Sequence, residues 1–151
     1  MEARALKPSP QATPATPPLL PEERWDGVDG RRLEELHEVG GGDPGFVGKV
    51  ITQYLSDGNH RVVQIGEALR NGDMRLLCDS ADALKGSSGN VGVHNIARLA
   101  HLILTLAEQD RVAETGPVLH ALERSWSYCT QELASLQLPG HTSYEDTHSR
   151  R

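Results

Sequence analysis

The chain has 151 residues and a net charge of −6, and its residues are 37% hydrophobic but only 4% aromatic. This length favours one compact domain with flanking tails. The acidic balance excludes a basic surface for a nucleic-acid backbone, and the scarcity of aromatic residues favours helices packed through aliphatic side chains over a β-sandwich. No apolar run reaches the roughly 18 residues of a membrane span, and residues 1–21 lack the apolar stretch of a signal peptide.

Both ends of the chain have the composition of unstructured segments. Residues 1–27 are rich in Pro, Ala and Thr, which predicts an extended, disordered linker and suggests a tether to something upstream. Residues 139–151 are polar and predict a disordered tail. Residues 28–138 form the predicted folded domain.

A glycine run separates the first two predicted helices. A short segment over 31–39 ends at Gly40–Gly42. A long helix begins at Asp43 and Pro44, which are typical of the N-cap and the first helical position. Its apolar residues recur at spacings of three and four, and it ends at Asn71–Gly72.

Three further helices are predicted after this point. Asp73 caps the third helix, and Gly89–Asn90 and Gly92 are expected to interrupt it. The fourth begins near Val93 and the fifth near Thr115. No stretch shows sustained two-residue alternation. The predicted fold is therefore all-α, an antiparallel four-helix bundle with an additional short N-terminal helix.

The two cysteines, Cys78 and Cys129, fall at helical positions in this scheme. We interpret both as reduced thiols of the core rather than as a disulfide, which fits a reducing compartment. The expected location is the cytoplasm.

The third helix carries the most informative motif. Residues 81–92 read Ala-Asp-Ala-Leu-Lys-Gly-Ser-Ser-Gly-Asn-Val-Gly. This segment resembles the histidine-phosphotransfer (HPt) domain family, whose pattern is a helical His followed by x-Leu-Lys-Gly-Ser/Ala-Ser/Ala and then by a Gly. The order of the helices extends the resemblance as far as residue 138. The matching motif residues are Leu84, Lys85, Gly86, Ser87, Ser88 and Gly92.

The resemblance implies a phosphorelay module. In the family, a phosphoryl group moves between a receiver-domain aspartate and the imidazole, through a transition state rich in negative charge. Lys85, one turn after the acceptor position, would offer positive charge to the phosphoryl oxygens. Gly86 has no side chain and lets a receiver approach closely, at a cost in helix propensity of about 1 kcal/mol.

The acceptor histidine is absent, and Asp82 stands at its position. Asp82 lies beside the apolar stripe of its helix, so we expect it to be partly exposed and ionised. A carboxylate lacks the neutral imidazole nitrogen, and this segment has none of the acidic neighbours that hold a metal ion in receivers. Asp82 and Lys85 are therefore the candidate catalytic positions, but we predict no relay through residue 82. A natural pseudo-HPt, an engineered His→Asp change and an Asp that borrows a partner's metal site all stay open.

A receiver-docking surface is expected around this position. In the family, a polar residue of the facing helix often orients the acceptor, but here that position is Leu104, whose apolar side chain cannot do so. His101 is expected either to hydrogen-bond with Asp82 or to be solvated. The predicted docking residues are Gly86, Ser87, Ser88, Ala97, His101, Leu104 and Glu108.

No metal or cofactor site is predicted. The other histidines lie on different helices or in the tail, with no two ligands at helical spacing. No nucleophile, base and orienting group occur together, so nothing indicates an enzyme in the isolated chain. These histidines are His37, His60, His94, His120, His141 and His148.

The predicted function is a monomeric signalling module that docks response-regulator receiver domains and makes no membrane contact itself. The linker and the Asp43–Val47 start resemble the C-terminal HPt module of a hybrid sensor kinase, tethered at the inner membrane, of the diffusible-signal-factor quorum-sensing type. Kinases of that type also bind the enzyme that makes the signal, which is a second candidate partner. The alternative is a helical interaction or dimerisation domain without a phosphorelay role, and burial of Asp82 would favour it.

Overall fold

A computed structural model describes residues 25–136 of the chain. Within this range the protein is helical and has no strand. Residues 1–24 and 137–151, which include most of the predicted linker and the whole predicted tail, lie outside the described residues. The helices are α1 (Gly30–Val39), α2 (Pro44–Asn71), α3 (Met74–Val91), α4 (His94–Glu108) and α5 (Thr115–Leu136), with a 3₁₀ turn over Val112–Glu114.

Helices α2 to α5 form an antiparallel four-helix bundle. Each packs against its neighbours in chain order, and α5 returns to pack against α2, while α1 lies across α2 and α3 as an additional helix. The predicted fold class is therefore confirmed. All four long helices supply fully buried aliphatic side chains, including Ile65, Leu84, Ile103 and Leu122. Each such side chain stabilises the fold by about 1.5–3 kcal/mol through removal from water.

The boundaries of α2 and α3 follow the capping signals of the sequence. The Asp43 carboxylate accepts a hydrogen bond from the Gly45 N–H at 3.0 Å, and Pro44 is the first residue of α2. The Asp73 carboxylate accepts one from the Leu76 N–H at 3.1 Å at the start of α3. These bonds satisfy donors that the first helical turn leaves unpaired.

The end of α3 differs from the prediction. The helix continues through Gly89 and Asn90 to Val91, and it ends only at Gly92, whose φ of 85° is left-handed. The N–H of Val93 then donates to the carbonyl of Ser88 at 2.8 Å and closes the turn. Neither Gly nor Asn breaks a helix unless the backbone also leaves the right-handed region, so Gly92 alone sets the boundary.

Residues 25–29, here called the N-terminal strap, pack against the bundle ahead of α1. The indole N–H of Trp25 and the backbone N–H of Val28 both donate to the Glu132 carboxylate of α5, at 3.0 and 3.1 Å. The N–H of Asp29 donates to the carbonyl of Gly92 at 2.9 Å. The boundary between linker and domain that was predicted at residue 27 therefore falls inside a packed segment.

No helix between Trp25 and Leu136 is both long and apolar enough to cross a lipid bilayer.

Candidate functional site

Two polar contacts with α2 fix the rotation of α3. The hydroxyls of Tyr54 and Ser88 lie 2.6 Å apart in a buried hydrogen bond. Nearer the start of α3, the Ser80 hydroxyl donates to the Gln64 side-chain oxygen at 3.0 Å. A buried hydroxyl without a partner costs about 1–3 kcal/mol, so these pairs oppose any rotation of α3 about its axis. The opposite face of the helix is thereby turned toward solvent.

Asp82 lies at the middle of this solvent-facing side of α3. Its side chain is 66% exposed, and its Oδ1 lies 3.6 Å from the Nζ of Lys85, whose side chain is 38% exposed. The two charges form an ion pair between residues one helical turn apart. An exposed pair of this kind contributes little to stability, about 0–1 kcal/mol.

The surface next to this ion pair is open. Gly86 is exposed, and a Cβ added to it would meet nothing within 4 Å. The neighbouring Ser87 hydroxyl donates to the carbonyl of Leu84 at 3.3 Å, so it is bonded to its own helix. Another molecule can therefore approach the backbone of α3 beside Asp82 without displacing a side chain of this chain.

Ser88 and Leu104 do not belong to the exposed docking surface that the sequence suggested. Ser88 is fully buried, because it follows Asp82 by six residues and a rotation of about 100° per residue turns it toward α2 and Tyr54. Leu104 is only 8% exposed and packs in the bundle core. Both residues therefore lie inside the bundle.

The remaining predicted docking residues lie on α4. Ala97 is half-buried, whereas His101 and Glu108 are exposed. No hydrogen bond or ion pair joins His101 with Asp82 within the described residues, so the first of the two predicted environments for His101 is wrong. Asp82 pairs with Lys85 of its own helix instead.

The two cysteines occupy different environments. Both are free thiols, and Cys129 is fully buried, but Cys78 is only half-buried and therefore is not the core residue that was predicted. Burial raises the pKa of the Cys129 thiol to about 12. Desolvation also raises the pKa of Cys78, and the charges of Glu108 and Asp79 add to this effect. Neither thiol is activated as a nucleophile.

A groove of about 350 Å³ opens between α2 and α3, beside the residues predicted for docking. Its floor includes Tyr54 and Val91, and its rim carries the charged Lys49 and Asp57. Ser87 belongs to the same lining. The groove lies on the α2 side of α3.

The described part of the chain holds no group of three or more His, Cys, Asp or Glu side chains that could bind a metal ion. Asp82 therefore stands without the acidic partners that would hold a metal ion beside it. The arrangement of residues 25–136 can present a carboxylate and an ammonium to a partner surface.

Sequence reasoning missed Tyr54 and Gln64 as residues that position the site. Tyr54 is buried on the core-facing side of α2 and Gln64 is partly buried at its edge, where an apolar stripe makes a polar side chain unusual. That interruption of the stripe was the available signal, since buried polar groups almost always have a hydrogen-bond partner.

Comparison with known proteins identifies the family of this scaffold. Residues 49–137 match the sequence model of the Hpt domain. The structure is similar to histidine-containing phosphotransfer protein B from Pseudomonas aeruginosa, with a TM-score of 0.64 and 20% identity over 85% of this chain and 99% of that one. It is also similar to a histidine-containing phosphotransfer protein from rice, with a TM-score of 0.64 and 18% identity over 72% of this chain and 78% of that one. No curated protein sequence matches the chain.

The family match covers more than half of the sequence, and its motif helix is the one whose exposed face carries Asp82. The chain therefore belongs to the Hpt domain family and is a phosphorelay signalling module.

Proposed function

We propose that the chain docks response-regulator receiver domains on the exposed face of α3 but does not relay phosphate through residue 82. One observation carries this proposal. Asp82 projects from mid-helix with 66% of its side chain exposed, with the Lys85 ammonium 3.6 Å away. The position that an acceptor would need is thus accessible, and it is occupied by a carboxylate.

The docking surface in this proposal is a shallow patch shared by α3 and α4. It consists of Asp82, Lys85, Gly86 and Ser87 on α3, with Ala97, His101 and Glu108 on α4. Gly86 allows close approach because it has no side chain and because no other atom of the protein fills the space in front of it. The charged residues at the edge of the patch favour a partner with the complementary charge pattern. Such complementarity sets specificity and association rate more than affinity.

The chemistry of Asp82 argues against phosphate relay. Transfer requires a nucleophile in line with the phosphorus and positive charge around the equatorial oxygens. The Lys85 ammonium is already paired with the Asp82 carboxylate, and the described residues offer no metal-binding cluster beside it. Two anions, the carboxylate and the incoming phosphoryl group, would therefore meet with little compensating charge.

The origin of Asp82 has two explanations within this proposal. Either the chain is a natural pseudo-HPt that keeps the docking surface, or an engineered His→Asp change removed the acceptor. In both cases we infer a place at the C-terminal end of a hybrid sensor kinase, of the diffusible-signal-factor quorum-sensing type, in the cytoplasm. The signal-synthesising enzyme is a further candidate partner of such a kinase.

The test is phosphotransfer from phosphorylated receiver domains to the native chain, to Asp82→His and to Asp82→Asn. The donors are the receivers encoded by the same organism, each labelled on its aspartate. We expect label on Asp82→His alone, because only that variant supplies an imidazole on the intact surface. Asp82→Asn is the matched control, since it removes the charge without adding a nucleophile.

Two results would contradict the proposal. Label on the native chain but not on Asp82→Asn would mean that Asp82 accepts phosphate by using the receiver's metal site. Absence of label on every variant, together with absence of binding to every receiver, would remove the docking function and leave the helical interaction domain as the better interpretation.

A further inference from the structure

The exposed face of α3 carries a carboxylate at the docking position itself. Asp82 and Asp79 are both exposed, and Glu108 of α4 lies close enough for its charge to act, with that of Asp79, on Cys78 one turn before Asp82. Lys85 is the cation in contact with this group. The place where a partner's reactive group would arrive is therefore occupied by the Asp82 carboxylate and its ion-pair partner Lys85.

The ion pair between Asp82 and Lys85 leaves the Asp82 side chain accessible to a partner. The Asp82 side chain is the more exposed of the two, 66% against 38% for Lys85. A partner that docks on this face therefore meets an exposed Asp82 side chain. The Lys85 ammonium is already engaged in the ion pair.

From this arrangement we propose that the docking face selects unphosphorylated receivers over phosphorylated ones. The inference rests on the proposed docking function and adds a preference to it. The chain would then act as a binding partner of resting receivers and would release a receiver when that receiver becomes phosphorylated.

The physical reason is like-charge repulsion in a desolvated interface. A phosphoryl group on the receiver's aspartate carries about 1.5–2 negative charges at neutral pH and replaces the single charge of the carboxylate, so it moves negative charge outward and adds to it. Docking removes water between this group and Asp82, so the effective dielectric falls and their repulsion grows. Juxtaposed like charges across an interface suppress binding of the wrong partner. We expect at least about a tenfold preference, which corresponds to about 1.4 kcal/mol.

The experiment measures the affinity of this chain for receiver domains by isothermal titration calorimetry. Each receiver is titrated with Mg²⁺ alone and with Mg²⁺ and beryllofluoride, which occupies the aspartate as a stable phosphoryl analogue. The chains compared are the native protein, Asp82→Asn and Glu67→Gln. Glu67 is exposed on α2, so its variant is matched in chemistry but removes a charge from another helix.

The native chain should bind the receiver with Mg²⁺ alone at least about tenfold more tightly than the beryllofluoride form. Asp82→Asn should bring this ratio toward one by improving affinity for the beryllofluoride form, while Glu67→Gln keeps the native ratio. The preference should also weaken as salt is added.

Two results would overturn the inference without touching the docking function. These are equal affinity of the native chain for both receiver forms, and a ratio that Asp82→Asn leaves unchanged. If no receiver binds to the native chain or to Asp82→His, the docking function itself fails and the inference fails with it.

Discussion

Tyr54 organises the polar part of the core at the scale of single residues. Its hydroxyl bonds with Ser88 at 2.6 Å, and its ring meets that of Trp126 edge to face, with centroids 5.5 Å apart and planes at 65°. Burial raises the pKa of Tyr54, chiefly by desolvation. Cys129, whose pKa burial also raises, lies beside it. This cluster joins α2, α3 and α5, and it keeps its protons in the folded state.

The buried thiol of Cys129 should make the fold sensitive to alkali. Its pKa rises from an ordinary 9.0 to about 12 on folding. The unfolded chain therefore loses this proton first, so the contribution is fully present below about pH 9 and is lost as the pH rises toward 12. In this window the free energy of unfolding should fall by about 1.4 kcal/mol per pH unit for this group.

Urea unfolding at a series of pH values, followed by circular dichroism, measures this slope. Cys129→Ala should flatten the fall that begins near pH 9, even though its cavity lowers stability at every pH. Cys78→Ser is the matched control and should keep most of the slope, because Cys78 is only half-buried. The raised pKa of Tyr54 also lowers the free energy of unfolding as the pH rises above 10.0, the ordinary pKa of a tyrosine. An unchanged slope in Cys129→Ala would contradict the assignment.

Sequence periodicity predicted which side of α3 holds Asp82, and the exposure of its side chain agrees with that prediction. The same periodicity should have excluded Ser88 from the docking surface, since Ser88 follows Leu84 on the buried side. A serine in a family motif suggested contact with a partner, whereas its actual partner, Tyr54, is 34 residues away in sequence. The local sequence pattern predicts which face of a helix a residue occupies, but it does not predict the residue's hydrogen-bond partner.

At the scale of the elements, one glycine sets how closely α2 and α5 approach. A Cβ built on Gly58 would collide with the indole ring of Trp126, which packs over this position. Gly86 on α3 is the opposite case, because a Cβ there meets nothing within 4 Å. The first glycine is required by packing, and the second leaves its surface open.

Substitution of these two glycines by alanine should therefore have opposite effects. Gly58→Ala should lower the free energy of unfolding by about 1–3 kcal/mol, because Trp126 or α5 must move. Gly86→Ala, the matched control, should be neutral or raise it by up to about 1 kcal/mol through helix propensity. Urea midpoints from circular dichroism compare the two. A Gly58→Ala variant as stable as the native chain would show that the contact between α2 and α5 adjusts freely.

The starts of α2 and α3 could be predicted because their signals are local. Asp43 and Asp73 each bond to backbone within three residues. The end of α3 was predicted too early because Gly89 and Asn90 are common in turns, although each also fits a helix. The decisive feature is the left-handed φ of Gly92, a position where a Cβ would also collide with the side chain of Arg32 from another part of the chain. Composition alone does not carry that information.

At the scale of the whole molecule, the N-terminal strap ties the start of the domain to its far end. Trp25 and Val28 share the carboxylate of Glu132, which lies more than a hundred residues later. The Asp29 carboxylate pairs with His94 at 2.9 Å, and this contact lowers the pKa of Asp29. Nothing in the sequence around Trp25 predicts such a distant partner, which is why composition placed this residue in the linker.

Removal of the Glu132 carboxylate should release this strap. Two hydrogen bonds to a charged acceptor are lost, so Glu132→Ala should lower the free energy of unfolding by about 1–3 kcal/mol and expose Trp25 to iodide quenching of its fluorescence. Glu132→Gln keeps one acceptor oxygen, so its free energy of unfolding and its Trp25 quenching should lie between those of the native chain and of Glu132→Ala. Because Trp126 also fluoresces, the measurement is made in a Trp126→Phe background, with Gln131→Ala as the exposed neighbouring control.

The same variants separate the strap from the docking face. The strap contacts α5 and the turn after α3, whereas Asp82 lies on the middle of α3 and pairs only with Lys85 among the described residues. Glu132→Ala should therefore lose stability and strap protection while its receiver affinity stays native. If receiver affinity fell together with strap protection, the strap would have to be counted as part of the binding surface, and the site would extend to the end of the bundle.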